Sequence, residues 1–267
     1  MSTVHADARF PALLEAPIAP SAPPIARAGD LVVSLADTPE AIDRALRLRH
    51  QVFVGELGAR SGMRDGVDRD IFDPYCRHLV VSDQSRGEVV GTYRVMLPEQ
   101  ARQLGCLYAD GEFWLTRLNP LRDSIVELGR ACVHPAYRTG ATIMLLWSGI
   151  GALLASCGHR HLLGCVSVSL ADGGVHAAQL YHALARRHLA DDTLRVWPRQ
   201  RLDLGEAPAA DAPTEAVQVP PLMRGYLRAG ARLLGEPCRD DAFGCADFPM
   251  MLRLDELTGR YQRRFMQ

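Results

Sequence analysis

Residues 139–158 carry no charge, and this run restricts the fold more than any other feature of the chain. A stretch of that length can cross a bilayer or form a helix buried against a sheet. Its composition favours the buried helix. It holds four glycines, two serines and two threonines, with Arg130 and Arg138 before it and Arg160 after it. The segments on either side, 124–133 and 162–169, are apolar and β-prone. Strand, apolar helix and strand in that order describe a helix layered on a sheet, as in α/β folds.

Size and balance agree. A chain of 267 residues, 48% hydrophobic and 23% charged, can bury a sizeable core as one large domain or two small ones. It is too apolar for general disorder. A net charge of -1 leaves no basic excess for counterion-driven binding, so no nucleic acid is expected as a partner. All 30 basic residues are Arg, which excludes a catalytic lysine and a standard P-loop. Seven Cys form no CxxC pair, so they read as reduced, buried thiols of a cytoplasmic protein, and no spacing supports a metal site. Residues 1–28, rich in Pro and Ala, lack the basic and apolar regions of a secretory signal and read as a flexible arm.

Patterning predicts a strand at 31–35 and a helix capped by Thr38 with Pro39 in its first turn. That helix continues to the glycines at 58–66. A hairpin of strands is expected at 78–82 and 88–97, then helices at 98–107 and 176–189. Residues 203–220 form a loop, 221–234 an amphipathic helix, 246–254 a final strand and 258–267 a tail. The expected architecture is one α/β domain over 29–257, three-layered, with a mixed, mostly antiparallel sheet flanked by helices.

Chemistry concentrates around strand 124–133. Glu127 lies among Ile125, Val126 and Leu128, where a carboxylate is costly unless paired or functional. It is a candidate general base; an ion pair with Arg130 or Arg94 explains it equally well. In a regular strand residues 127 and 130 face opposite ways. Gly129 between them suggests a β-bulge that returns both to one face. After the strand, Val133, Pro135 and Arg138 lead into Thr139, Gly140 and Ala141. A helix starting there offers free N–H groups and a partial positive charge to a phosphate, with Arg138 beside it.

Val133, Pro135 and Arg138 resemble the phosphate-binding turn of the GNAT N-acyltransferases, whose usual loop places its first glycine one residue later. Further likeness lies in Leu48 to Phe53, Glu56-Leu57-Gly58-Ala59, Asp68 and Asp70 to Asp73, His78 to Val81, Val90 to Arg94, and Glu127 to Arg130. These segments are similar to two branches, the acyl-homoserine-lactone synthases and the L-ornithine Nα-acyltransferases of ornithine-lipid synthesis. Cys132 to Pro135, Leu146-Trp147, Gly225-Tyr226-Leu227, Gly235-Glu236-Pro237 and Asp247-Phe248 favour the second. The resemblance covers roughly residues 45–257.

It implies a GNAT-like fold and direct attack of an amine on a thioester, without an acyl-enzyme. The donor would be an acyl chain, 3-hydroxylated, on the 4'-phosphopantetheine of acyl carrier protein, with no bound cofactor. The shortened loop of Val133, Arg138, Thr139, Gly140 and Ala141 suits the single phosphodiester of that arm. The acceptor would be a small amino acid, L-ornithine, giving a lyso-ornithine lipid.

Glu56 is a second candidate base or amine ligand; a solvated helix charge is the plainer reading. Asp70 and Asp73 would hold a cationic acceptor or cap a turn. Arg49 and Arg94 interrupt apolar patterns and are expected to pair with these acids. With Arg130 they resemble the family's substrate-side cluster, where an arginine can also grip the acceptor's carboxylate. His78 reads as a structural histidine.

Arg224, Arg228 and Arg232 form a basic stripe beside Met223, Leu227, Ala231 and Leu234. The stripe suits acyl carrier protein, peripheral contact with the inner membrane, or a solvated face over a core. A lactone or other N-acyl amino acid synthase is the nearest alternative enzyme. A membrane-active or binding protein would require residues 139–158 to span a bilayer.

Overall fold

The computed structural model describes residues 22–60, 65–206 and 217–257. Most of the arm 1–28, the centre of the loop 203–220 and the tail 258–267 lie outside the described residues. The described residues form the expected α/β layer structure, with a mixed, mostly antiparallel sheet.

The elements in chain order are β1 (Ala26–Ala28), β2 (Leu31–Ala36), α1 (Pro39–His50), β3 (Arg77–Asp83), β4 (Glu88–Met96), α2 (Pro98–Leu104), β5 (Phe113–Trp114) and β6 (Ile125–Val133). They continue with α3 (Gly140–Cys157), β7 (His161–Ser169), α4 (Val175–His188), β8 (Trp197–Pro198), α5 (Pro221–Ala229), β9 (Arg232–Leu233), β10 (Cys238–Asp240) and β11 (Cys245–Arg253). The main sheet runs β1-β2-β3-β4-β6-β7-β11-β10, with β9 also on β11, while β5 and β8 form a separate ribbon. All its pairings are antiparallel except β6 with β7. Parallel neighbours need a crossover, and α3 supplies it.

Strand alternation divides the sheet into two faces. Leu79, Tyr93, Val95, Val126, Leu162, Val166 and Phe248 point one way and share a core with α3 and α4. Thr142, Leu145, Leu146, Ile150 and Leu154 carry the buried side of α3. Burial of each aliphatic chain there stabilises the fold by about 1.5–3 kcal/mol. Gly149 brings the helix close, since a Cβ there would stand 3.0 Å from Leu79 and Val33. The uncharged run is long and apolar enough to cross a membrane, yet half of it is buried inside the fold.

The opposite face carries the polar residues, among them His78, Arg94, Glu127, Ser167 and Asp247, and α1 packs over its β2–β4 half. The Thr38 hydroxyl caps α1 by accepting from Ala41 N at 3.2 Å. Beyond His50 the predicted continuous helix widens into a π-helix, Gln51–Glu56, and Gly58 ends it at φ 71°. Ala26–Ala28, assigned to the arm from sequence, instead adds an edge strand to β2.

The helix expected over 221–234 is also shorter. It stops at Gly230, which takes φ 111° and closes the end with a bond to Leu227 O. Ala231, Leu233 and Leu234 then enter the core, and Arg232 sits on a strand opposite Met251. The predicted three-arginine stripe therefore ends at Arg228, and the surface proposed for acyl carrier protein or membrane contact loses a third of its charge.

Candidate active site

The site begins where β6 and β7 separate. They pair from Ile125 and His161 to Leu128 and Gly164, and no further. Beyond this point β6 follows β4 to Val133, while β7 follows β11 to Ser169. An extra residue in β6 accompanies the parting. Thr92 and Arg94, two apart on β4, face Cys132 and Gly129, three apart on β6. The predicted bulge is present, and its left-handed residue is Arg130, next to Gly129, at φ 48°. A non-glycine residue there is strained, and its side chain is held by ring contacts and acids described below. Gly164 has the opposite need: a Cβ would stand 2.8 Å from Leu128 O, so a bare residue is required at the last shared rung.

The gap opens into a cavity of about 390 Å³, lined by residues of β4, β6, β7, β10 and β11 and by Phe53 and Leu57 after α1. Glu127, Arg94 and Arg130 all line it, so the bulge does return Glu127 and Arg130 to one side.

An ion-pair lattice stands behind these arginines. Arg49 is fully buried and donates to Asp68 Oδ2 at 2.7 Å and to the two oxygens of Asp73 at 2.7 and 3.3 Å. Arg94 donates to Asp70 at 2.6 Å and Asp73 at 3.2 Å, and Arg130 reaches Asp70 at 3.1 Å. Burial works to raise the Asp73 pKa, but Arg49 and then Arg94 outweigh it and hold the carboxyl below its usual range. The Arg130 guanidinium lies 5.0 Å from the Tyr108 ring and 4.8 Å from Phe243. The expected pairing of Arg49 and Arg94 with these acids is present, and Arg49 and Asp73 do not line the cavity as direct acceptor ligands would. Asp70 is committed to Arg94 and Arg130. His78 is buried with Nε2 3.2 Å from Asp73 O, as a structural histidine would be, and burial lowers its pKa.

Glu127 forms neither of the expected arginine pairs. Its carboxylate accepts from Tyr108 N at 2.7 Å and Ala109 N at 2.8 Å, the first N–H groups of a 3₁₀ turn. Burial raises its pKa, and these two bonds act against the rise. Each oxygen keeps a lone pair beyond the one the backbone uses.

Glu56 is absent from the cavity wall. It holds Arg138 through both guanidinium nitrogens, at 2.7 and 2.5 Å, on the outside of the fold. That removes Glu56 as a base in this cavity and gives the turn arginine a carboxylate partner. Arg138 also donates to Val133 O at 3.2 Å. Thr139, Gly140 and Ala141 open α3 as predicted; the Thr139 side chain makes no capping bond, and Gly140 and Ala141 are exposed.

Sequence reasoning passed over one side of the cavity. Glu112, Asp240 and Asp247 line it together. Asp247 is buried and accepts from Ser167 Oγ at 2.6 Å. Burial pushes both Glu112 and Asp247 well above the usual carboxylate range, and Asp247 itself raises Glu112 further. Asp247 carried the same signal as Glu127, a charge inside an apolar strand. Asp240, Cys245 and Asp247 each place a donor atom within 4.8 Å of the others. Burial raises the Cys245 thiol, which opposes the thiolate form a metal would need.

An acetyltransferase (GNAT) domain family matches residues 48–148. The chain is 35% identical over 250 residues to the L-ornithine N(alpha)-acyltransferase of Brucella abortus (strain 2308), covering 89% of each protein. It is 32% identical over 243 residues to that of Rhodobacter capsulatus, covering 86% of this chain and 92% of the relative. Among solved structures, the acyl-homoserine lactone synthase BjaI superposes with a TM-score of 0.50 at 14% identity, over 85% of this chain and 81% of its own. FeeM, an N-acyl amino acid synthase from uncultured soil microbes, gives 0.50 at 11%, over 87% and 98%. At these identities the two structures establish the shared fold alone.

Proposed function

Because the chain belongs to the L-ornithine Nα-acyltransferase family, within the GNAT fold, we propose that it acylates the α-amine of L-ornithine. In this reading the donor is a 3-hydroxyacyl chain on the phosphopantetheine of acyl carrier protein, and the product is a lyso-ornithine lipid. The observation that carries the proposal is the parting of β6 and β7 onto a cavity that holds a carboxylate and two arginines.

Beyond Leu128 the backbone of β6 no longer pairs with β7. N–H groups there suit a thioester oxygen as charge builds on it in the transition state. The pantetheine arm lies in the gap, with its phosphodiester at the open first turn of α3. Glu127, directly or through water, takes the ammonium proton; burial raises its affinity for that proton. The amine nitrogen bonds to the carbonyl carbon, the C–S bond breaks, and the sulfur leaves as a thiol with the proton released by the amine. Arg94 and Arg130 face the acceptor's carboxylate. Both guanidinium groups line the cavity, which supports this role.

The test is incubation of the purified chain with acyl-acyl carrier protein and a pool of amino acids, followed by mass spectrometry. N-acylornithine is expected. Acylation of another amine alone overturns the acceptor, and equal use of coenzyme A thioesters overturns the carrier-protein donor.

A further inference from the structure

The cavity is electrically divided. Arg94 and Arg130 stand on its β4–β6 side, and Glu112, Asp240 and Asp247 on its β10–β11 side. The register explains the second group. Asp247 lies opposite Ser167 on β7 and Cys238 on β10, and Cys245 lies opposite Ser169 and Asp240. With the two-residue alternation of strands, Ser167, Asp247, Cys245 and Asp240 share the face that carries Glu127.

None of the three acids forms an ion pair with a described residue, although arginines occupy the other wall. Glu112 Oε2 is a buried atom with no hydrogen-bond partner, which is costly for a carboxylate. Asp247 has Ser167 and the weak Cys245 thiol as its side-chain donors, and Arg130 acts on it only from beyond ion-pair distance. Burial and mutual repulsion raise the proton affinity of Glu112 and Asp247. These are the marks of a site completed by a cationic ligand.

We propose that Glu112 and Asp247, with Asp240 at their edge, bind the side-chain ammonium of the acceptor and so select a dicationic amino acid over a neutral one. This deepens the preceding reading and rests on it for the reaction. An acceptor lying across the cavity sets its carboxylate towards Arg94 and Arg130, its α-amine towards Glu127 and its far ammonium against the acids. A neutral side chain would leave the carboxylates desolvated and unpaired, so it is rejected by the cost of that vacancy rather than by size.

Calorimetric binding to the full chain tests this with L-ornithine and L-norvaline, which keeps the carbon skeleton but lacks the second amine. The wild type should bind ornithine more tightly by about 10–100-fold. Asp247→Asn and, separately, Glu112→Gln should each remove most of that ratio, by weakening ornithine and by tightening norvaline, which no longer leaves a buried carboxylate unpaired. Variants that melt cooperatively and keep the ratio overturn the inference; so does wild-type protein that binds the two ligands equally. If the wild type acylates a different dicationic amino acid and the variants lose that preference, the inference stands and only the ornithine assignment fails. If a neutral amino acid is the acceptor, both fail.

Discussion

Replacing Arg49 with methionine isolates what the ion-pair lattice does for stability. Met keeps much of the side-chain bulk, so the cavity term is small and the electrostatic loss dominates. Three charge-assisted hydrogen bonds disappear, at 2.7, 2.7 and 3.3 Å. They leave Asp68 and Asp73 buried. Removing one partner of a buried pair costs about 3–5 kcal/mol. The lower end is expected, because Arg130 Nε stays 3.4 Å from Asp68 and Arg94 stays 3.2 Å from Asp73. For a domain of this size, about 3 kcal/mol lowers Tm by roughly 6–12 °C.

The loss should depend on pH, with a definite sign. Asp73 is held below its usual range in the native protein, so its contribution is present above the unfolded carboxylate pKa and is lost as pH falls through the folded value. Without Arg49, burial acts on Asp73 with less opposition and protonation relieves the variant. Urea unfolding at pH 7 and pH 4.5 should therefore show the gap between variant and wild type narrowing at the lower pH. Adding Asp73→Asn to Arg49→Met should recover part of the loss. A gap below about 1 kcal/mol at pH 7, or one that is the same at both pH values, would refute the reasoning.

Other perturbations separate the remaining parts of the site. Gly164→Ala places a Cβ against Leu128 O and should cost about 1–3 kcal/mol in unfolding experiments, with a disproportionate fall in kcat as the parting of the strands is distorted. Glu56→Gln frees Arg138 for the donor phosphate, so the donor's KM should fall in steady-state assays; the exposed pair makes the stability change less than about 1 kcal/mol. In the ligand-free protein, Glu112 and Asp247 have raised pKa values. Their stabilising contribution is present in acid and is lost as pH rises through the folded values. Glu112→Gln should therefore raise the ligand-free Tm at pH 8 even as it weakens ornithine binding, and scanning calorimetry across pH reads this directly.

Much of the layer order was legible in the chain, because it follows from periodicity that local residues enforce. The uncharged run between two β-prone segments required a helix on a sheet, and the hairpin and the α3 boundaries followed. The tight helix end at Gly230 was less visible, since Ala231, Leu233 and Leu234 continue an amphipathic pattern that strand pairing on β11 overrides. Gly129 correctly marked a bulge, though which residue in it turns left-handed was not legible. Ring contacts and acids distant in sequence hold Arg130 in the left-handed conformation, and no local rule reports them. The partners of Glu127 were hidden for a related reason: they are backbone N–H groups, which every residue has. Glu112 sits in a short turn without a periodic signal, and only the fold brings it beside Asp247.

The parallel rung between Leu128 and Gly164, set in an otherwise antiparallel sheet, separates two kinds of recognition. One reactant's berth is made of main chain, from the unpaired edge of β6 to the first turn of α3, and tolerates exchange of side chains. The other's is made of side chains, Arg94, Glu127 and Arg130 beside the slot and Glu112, Asp240 and Asp247 beyond it. The acceptor's side-chain preference can therefore change by exchange of the few acids beyond the slot, while the thioester machinery is left untouched.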